Sequence, residues 1–233
     1  MVTAPSWQWD ESVQQGTDYA SVAEAEGYDE RMAGLRDVSK EAGRIMSFLG
    51  LSPDDVVLEM GTGTGAFART ATKHCRLVIG ADVSSAMLAY AAKKADEEGI
   101  KNISFRQAGF LTYEHEGEPL AAAVSQLALH HLPDPWKLVG LRRLAGFMRP
   151  GARLFLSDVV LADEMVDHPD AYLGHLIARL PEDFRVPMAR HLRQEFSTFD
   201  WAMRDILARA GFTIEEADLS DRFLAHYLCR RAV

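Results

Sequence analysis

From Val56 onward, short apolar runs alternate with longer stretches that repeat apolar residues at helical spacing. VVLEM (56–60) is nearly all apolar, as a strand covered on both faces must be. GTGTG (61–65) then reads as a turn, and AFARTATKH (66–74) as a helix. RLVIGAD (76–82) is a second strand. SSAMLAYAAKKADEEG (84–99) is a helix, with Ser84 as N-cap and Gly99 as stop. NISFRQA (102–108) and AAAVSQLAL (121–129) read as strands three and four. WKLVGLRRLAGFM (136–148) is a helix closed by Arg149-Pro150-Gly151, and ARLFLSDVV (152–160) a fifth strand. Strands alternating with helices of this length imply right-handed βαβ units and a parallel sheet.

The flanks differ. Residues 10–50 read as helical, with Met32, Leu35, Val38, Ala42, Ile45, Met46 and Leu49 at helical spacing and Gly50 as C-cap. Residues 162–198 show no convincing strand and read as inserted helices and loops. WAMRDILARAG (201–211) is a last helix. FTIEEADLS and FLAHYLCRR, separated by Asp221-Arg222, predict an antiparallel hairpin. The expected fold is a seven-stranded, doubly wound α/β sheet, mostly parallel. Residues 1–50 form an N-terminal helical cap segment, and residues 51–233 the main domain with its helical insertion.

Composition narrows the classes. A chain of 233 residues, 48% hydrophobic and 25% charged, can bury a core without staples. The net charge of −9 comes with no basic block, which argues against a nucleic-acid partner. No apolar stretch approaches the ~20 residues of a membrane span, and the N-terminus lacks a secretory pattern, so a cytoplasmic chain is expected. A homodimer is compatible with this composition. Cys75 and Cys229 have no CxxC partner and read as reduced, buried thiols. His168, His175 and His191 have no close ligands in sequence, so no metal is expected.

The glycine turn carries the chemistry. Glycines allow a tight turn and close approach to a ligand, and the helix that follows offers free N–H groups and a positive dipole end. Asp82 ends the second strand 21 residues after Gly61, where a carboxylate can accept both ribose hydroxyls. Gly61-x-Gly63-x-x-Ala66 satisfies a dinucleotide pattern formally. Three features pull away from it: Gly65 makes the turn G-x-G-x-G, the terminal hairpin replaces a further βαβ unit, and Glu59 precedes the glycines. A carboxylate there repels a pyrophosphate and suits an ammonium or sulfonium ligand.

At this point the sequence resembles a class I S-adenosylmethionine (SAM)-dependent methyltransferase of the ubiquinone/menaquinone and type-11 group. VLEMGTGTG, IGADVSSAMLAYA and VSQLALHHLPDPWKLVGLRRLAGFMRPGARLFLSDVV carry the likeness, which covers residues 50–160 closely. The resemblance implies SAM as cofactor and a small organic, apolar or aromatic methyl acceptor. Glu59, Gly61, Thr62, Gly63 and Gly65 would then surround the methionine moiety, and Asp82 would accept the ribose hydroxyls. Val83 and Met87 would lie against adenine, with Gly109 and Phe110 on its other side, and Ser125 and Gln126 near the sulfonium. The family often has an acid after strand three that binds the adenine amino group. This chain has Gln107-Ala108-Gly109 there, so the contact is missing or moved, with Gln107 as one substitute. A nicotinamide-dependent oxidoreductase and a SAM-binding protein without methyl transfer are the alternatives.

On the acceptor side, His130 and His131 end the predicted fourth strand and could act as a base, His130 by preference, or simply cap and pack. His191 and Glu195, four apart, are either a solvated pair or part of an acceptor-binding lid. Trp7, Trp9, Tyr19 and Tyr28 either staple the N-terminal segment or cover an acceptor pocket, Tyr28 being the first choice for a substrate contact.

Overall fold

The computed structural model describes residues 5–13, 16, 19, 21–34, 37–219 and 224–233. Leu35 and the Asp221-Arg222 junction of the expected hairpin lie outside them.

Helices α1 (Val22–Ala33) and α2 (Val38–Leu49) precede strand β1 (Val56–Met60). Then come α3 (Ala66–Ala71), β2 (Leu77–Asp82), α4 (Ser85–Glu97), β3 (Ile103–Gln107), β4 (Leu120–Gln126), α5 (Asp134–Phe147) and β5 (Met148–Leu161). The sheet order is β3-β2-β1-β4-β5-β8-β7, with β7 spanning Phe212–Asp218 and β8 Leu224–Arg231. β1 to β5 run parallel. β8 is antiparallel to both β5 and β7, as the hairpin reading expects.

Between β5 and the hairpin lie α6 (Glu164–Asp167), α7 (Pro169–Arg179), α8 (Glu182–Gln194), β6 (Thr198–Phe199) and α9 (Asp200–Ala210). The expectation of no strand in residues 162–198 is corrected at its last residue: Thr198 and Phe199 pair in parallel with Val160 and Leu161. Two residues have no periodicity to read, and the Thr198 hydroxyl helps seat them by donating to Asp134 at 2.8 Å.

Period-two alternation in β1 divides its side chains between two layers. Leu58 and Met60 pack with Leu129, Leu141 and Leu207 on the α5–α9 side. Val57 packs with Ala42, Ile45 and Phe67 on the α2–α3 side. The segment read as one N-terminal cap therefore has two parts. α2 belongs to the core, and its end is capped by Gly50 at φ +57°, whose N–H donates to Met46 O. Residues 10–13, read as helical, form turns, and α1 begins only at Val22, capped by the Ser21 hydroxyl.

The chain leaves β1 for β2 on one side and reaches β4 on the other. The order reverses between β1 and β4, and the C-terminal ends of those strands frame a crevice, the place where open α/β sheets bind ligands.

Candidate cofactor and acceptor site

The glycine turn is built from left-handed backbone. Gly61, Gly63 and Gly65 have φ of +73°, +52° and +72°. The N–H groups of Gly61 and Thr62 donate to Ala81 O, tying the turn to β2. A Cβ on Gly61 would overlap the Cβ of Ala128, and one on Gly65 would press on Ala91 at 3.1 Å. A Cβ on Gly63 would meet nothing within 4 Å among the described residues. Gly61 and Gly65 are thus glycines for packing as well as turning, while Gly63 leaves its face open to a ligand.

Asp82 accepts hydrogen bonds from Gly63 N and Ser84 N, both at 2.8 Å. Burial raises its pKa, and the backbone donors act in the opposite direction. Ser84 caps α4 by accepting from Met87 N. Val83 and Met87, with Ala108, Gly109 and Phe110, join Asp82 around the first pocket. Its other wall includes Gln126, Leu127, Ala128, His131 and Leu132. Glu11, Val13, Tyr19 and Tyr28 cover it from the N-terminal side.

A second pocket adjoins it, sharing Tyr28, Gly61, Gly63 and Gln126 and adding Asp29, Glu59, Thr62 and Thr64. Glu59 lies on the α3 face of β1. Its Oε2 accepts from the Thr62 hydroxyl at 2.6 Å and from Ala68 N at 3.1 Å. Its carboxylate therefore braces the turn and the start of α3 while lining the pocket.

The expected cofactor residues divide. Gly61, Gly63, Asp82, Val83, Met87, Gly109, Phe110 and Gln126 border the first pocket, and Glu59 and Thr62 the second. Ser125 borders neither: it is fully buried beside Met60 in the β1–β4 ladder. Gly65 also borders neither, packing on Ala91 and Phe105.

His130 and His131 do not end β4, which is a correction. The strand stops at Gln126, and Leu127 turns at φ +53°, a conformation that costs a branched residue energy and marks a constrained site. The two histidines then lie on a short 3-10 turn, Leu129–His131. This puts them in different environments. His131 faces the first pocket, edge-on to Tyr19 at 5.9 Å between ring centroids, with its Nδ1 buried and without a hydrogen-bond partner among the described residues. Burial and the neighbouring His130 push its pKa down to about 3.

His130 lies behind it, outside both pockets. Its Nδ1 is 2.5 Å from Asp158 Oδ1 on β5, and its Nε2 is 3.1 Å from Glu195 Oε2. Burial works against its proton, but Asp158 and Glu195 outweigh burial and raise its pKa to about 9. Both carboxylates are held low: burial pushes them up, and His130 more than offsets it, with His191 adding to the effect on Glu195. His191 contacts the same Glu195 oxygen at 2.5 Å through Nδ1, and Ser197 Oγ at 2.7 Å through Nε2.

The solvated-pair reading of His191 and Glu195 is therefore corrected: Glu195 is 5% exposed and His191 11%. Neither borders the two pockets described, and through His130 they clamp the end of α8 to the sheet. Also corrected is the view that the histidines lack close ligand partners, since donor atoms of His130, His191 and Glu195 lie within 4.8 Å of one another. The 2.5 Å separation of His191 Nδ1 and Glu195 is a hydrogen-bond distance. Two ligands of one tetrahedral ion, bound at about 2.0–2.1 Å, stand roughly 3.3 Å apart. In this arrangement hydrogen bonds join the three side chains.

Sequence reading missed Glu11, Leu127 and Asp158. An acid inside the apolar strand LSDVV was a signal for Asp158. Nothing local signalled the other two.

A switch-point crevice with a left-handed glycine turn and a carboxylate ending the next strand is the place where doubly wound sheets bind ligands. Comparison with known proteins is more specific. A family profile described as a methyltransferase domain matches residues 57–151. A methyltransferase of Geobacillus thermodenitrificans is 27% identical over 210 residues, covering 90% of this chain and 88% of that protein. The 27-O-demethylrifamycin SV methyltransferase of Amycolatopsis mediterranei is 31% identical over 139 residues, 58% of this chain and 50% of that one. In fold, the chain resembles geranyl diphosphate C-methyltransferase from Streptomyces coelicolor A3(2), solved with Mg2+, geranyl diphosphate and S-adenosyl-L-homocysteine. That match has a TM-score of 0.66 and 14% identity, covering 83% of this chain and 78% of the other. Residues 57–151 thus match a methyltransferase domain, and most of the chain is similar in sequence to methyltransferases.

Proposed function

We propose that this chain binds S-adenosylmethionine across its two joined pockets and methylates a small organic acceptor that enters beside Tyr19, Tyr28 and His131. The observation that carries this reading is the pairing of Asp82 with the open face of Gly63 at the C-terminal ends of β1 and β2, beside the switch point. The group fits the residues present. Asp82 Oδ1 and Oδ2 can accept two hydroxyl donors, Val83, Met87 and Phe110 form an apolar slot, and Glu59 favours a cationic end.

When bound, the cofactor supplies an electrophilic methyl group with a neutral thioether as leaving group. The protein's task is then alignment and exclusion of water, and orientation can carry about 7–11 kcal/mol of a barrier. Tyr19, Tyr28, Leu127 and Leu132 make the acceptor side apolar, which favours an apolar or aromatic acceptor. His131 is neutral and can orient a hydroxyl or amine through Nδ1. His130 holds its proton near neutral pH and is a positioning residue rather than a base. The two free, buried thiols fit a reducing compartment such as the cytoplasm.

The test is calorimetry with S-adenosylhomocysteine. Micromolar binding, lost in Asp82→Ala, is expected. A wild-type protein that shows no binding sinks the proposal.

A further inference from the structure

The first pocket has an acid that does not come from the βαβ domain. Glu11 belongs to the N-terminal strap, residues 5–13, which crosses the pocket mouth. Trp7 stacks on Trp136 of α5, and Trp9 meets Phe196 edge-on at 5.3 Å. With the strap so held, Glu11 reaches the loop after β3. Its Oε1 accepts from Leu111 N at 3.0 Å and from the Thr112 hydroxyl at 2.7 Å. Its Oε2 shares the Leu111 N–H, at 3.1 Å, and the Thr112 N–H adds to the bonds on the carboxylate.

Gly109 is what admits it. A Cβ on residue 109 would collide with Glu11 Oε2, so this oxygen fills the space that a side chain at the exit of β3 would take. A carboxylate can accept about four hydrogen bonds, and Oε2 uses a fraction of its capacity. The remaining capacity borders the slot formed by Val83, Met87 and Phe110. A flat ligand in that slot, with its sugar on Asp82, presents its far edge toward Glu11.

Building on the cofactor reading above, we infer that Glu11 is a specificity-determining residue. From the strap, it accepts a hydrogen bond from the exocyclic amino group of a 6-aminopurine and so selects adenine over a 6-oxopurine. Gly109 is the vacancy that makes this possible. Gln107, the substitute that sequence suggested, donates its side-chain amide to Val83 O at 3.2 Å and does not border the pocket. Leaving a half-buried carboxylate facing a carbonyl instead of a donor is unfavourable, and a hydrogen bond to a charged group corresponds to roughly 10- to 100-fold in affinity.

The experiment compares S-adenosylhomocysteine with its 6-oxo analogue, S-inosylhomocysteine, by calorimetry on wild type and Glu11→Gln. Gln keeps an oxygen to cap Leu111 and Thr112 and turns an amide donor toward the ligand. Wild type should prefer the adenine ligand by about 10-fold or more, and Glu11→Gln should abolish or reverse that preference. If Glu11 only caps the loop, both affinities fall together and the ratio is unchanged, which overturns the inference while leaving the cofactor reading intact. A wild type that binds the two ligands equally also overturns it. Absence of S-adenosylhomocysteine binding overturns both. Asp82→Ala serves as the control: it should weaken both ligands with their ratio retained.

Discussion

Substitution of Gly61 by alanine tests whether the glycine turn is set by packing, by backbone conformation or by ligand approach. At φ +73° an alanine is strained by roughly 1–2 kcal/mol. Its Cβ also overlaps the Cβ of Ala128, and overpacking of this kind typically costs about 1–3 kcal/mol. Gly61→Ala should therefore destabilise the fold by about 2–5 kcal/mol in urea melts with an unchanged slope. The two causes are separable. Ala128→Gly removes the overlap but not the left-handed backbone, so in the double variant the steric share, about 1–3 kcal/mol, should return as coupling energy. Coupling within about 0.5 kcal/mol of zero would refute the steric account. A Gly61→Ala protein as stable as wild type would refute the packing argument entirely.

The remaining predictions concern neighbouring groups. Gly63→Ala meets no atom, so its stability loss should stay near the backbone strain of roughly 1–2 kcal/mol, while calorimetry should show S-adenosylhomocysteine affinity falling sharply. His130→Gln leaves Asp158 buried without its partner and should cost about 3–5 kcal/mol in chemical denaturation. The pH profile has two limbs. His131, lowered to about 3, stays neutral in the folded protein, so the unfolded chain binds more protons between pH 3 and about 6.5 and stability falls on acidification. His130, raised to about 9, contributes stability that is full below about pH 6.5 and lost as pH rises through about 9. Urea melts should therefore peak near pH 6.5, with up to about 1.4 kcal/mol lost per pH unit on each limb. His131→Phe should flatten the acidic limb, and His130→Gln the alkaline one.

The βαβ order was legible because its signals are local. VVLEM and RLVIGAD are buried strands that look apolar, and Ser84, Gly50, Gly99 and Gly211 stop or start helices where their types suggest. The fourth strand was overextended for the same reason. AAAVSQLAL is apolar throughout, and nothing in its composition shows that Leu127 turns left-handed to meet Ser157 O. That turn decides which histidine faces the first pocket: His131 lines it, and His130 lies behind. The network of Asp158, His130 and Glu195 joins residues far apart in sequence, and Glu11 meets Leu111 across 100 positions. Such contacts follow from chain topology, and no spacing rule encodes them. The glycine turn was readable because it and the acid ending the next strand form a compact motif. The opposite wall of the first pocket draws on Glu11, Tyr19, Tyr28 and Leu127 to Leu132, which are far apart in the chain.

The strap also leaves an optical mark. Three of the four tryptophans, Trp7, Trp9 and Trp136, gather where it crosses α5, while Trp201 stands apart on α9. Stacked indoles couple their transitions, and the coupling vanishes when one partner leaves. Circular dichroism near 280–300 nm (roughly the indole band) would then record the seating of residues 5–13 without any label, and a stopped-flow trace at those wavelengths would time it.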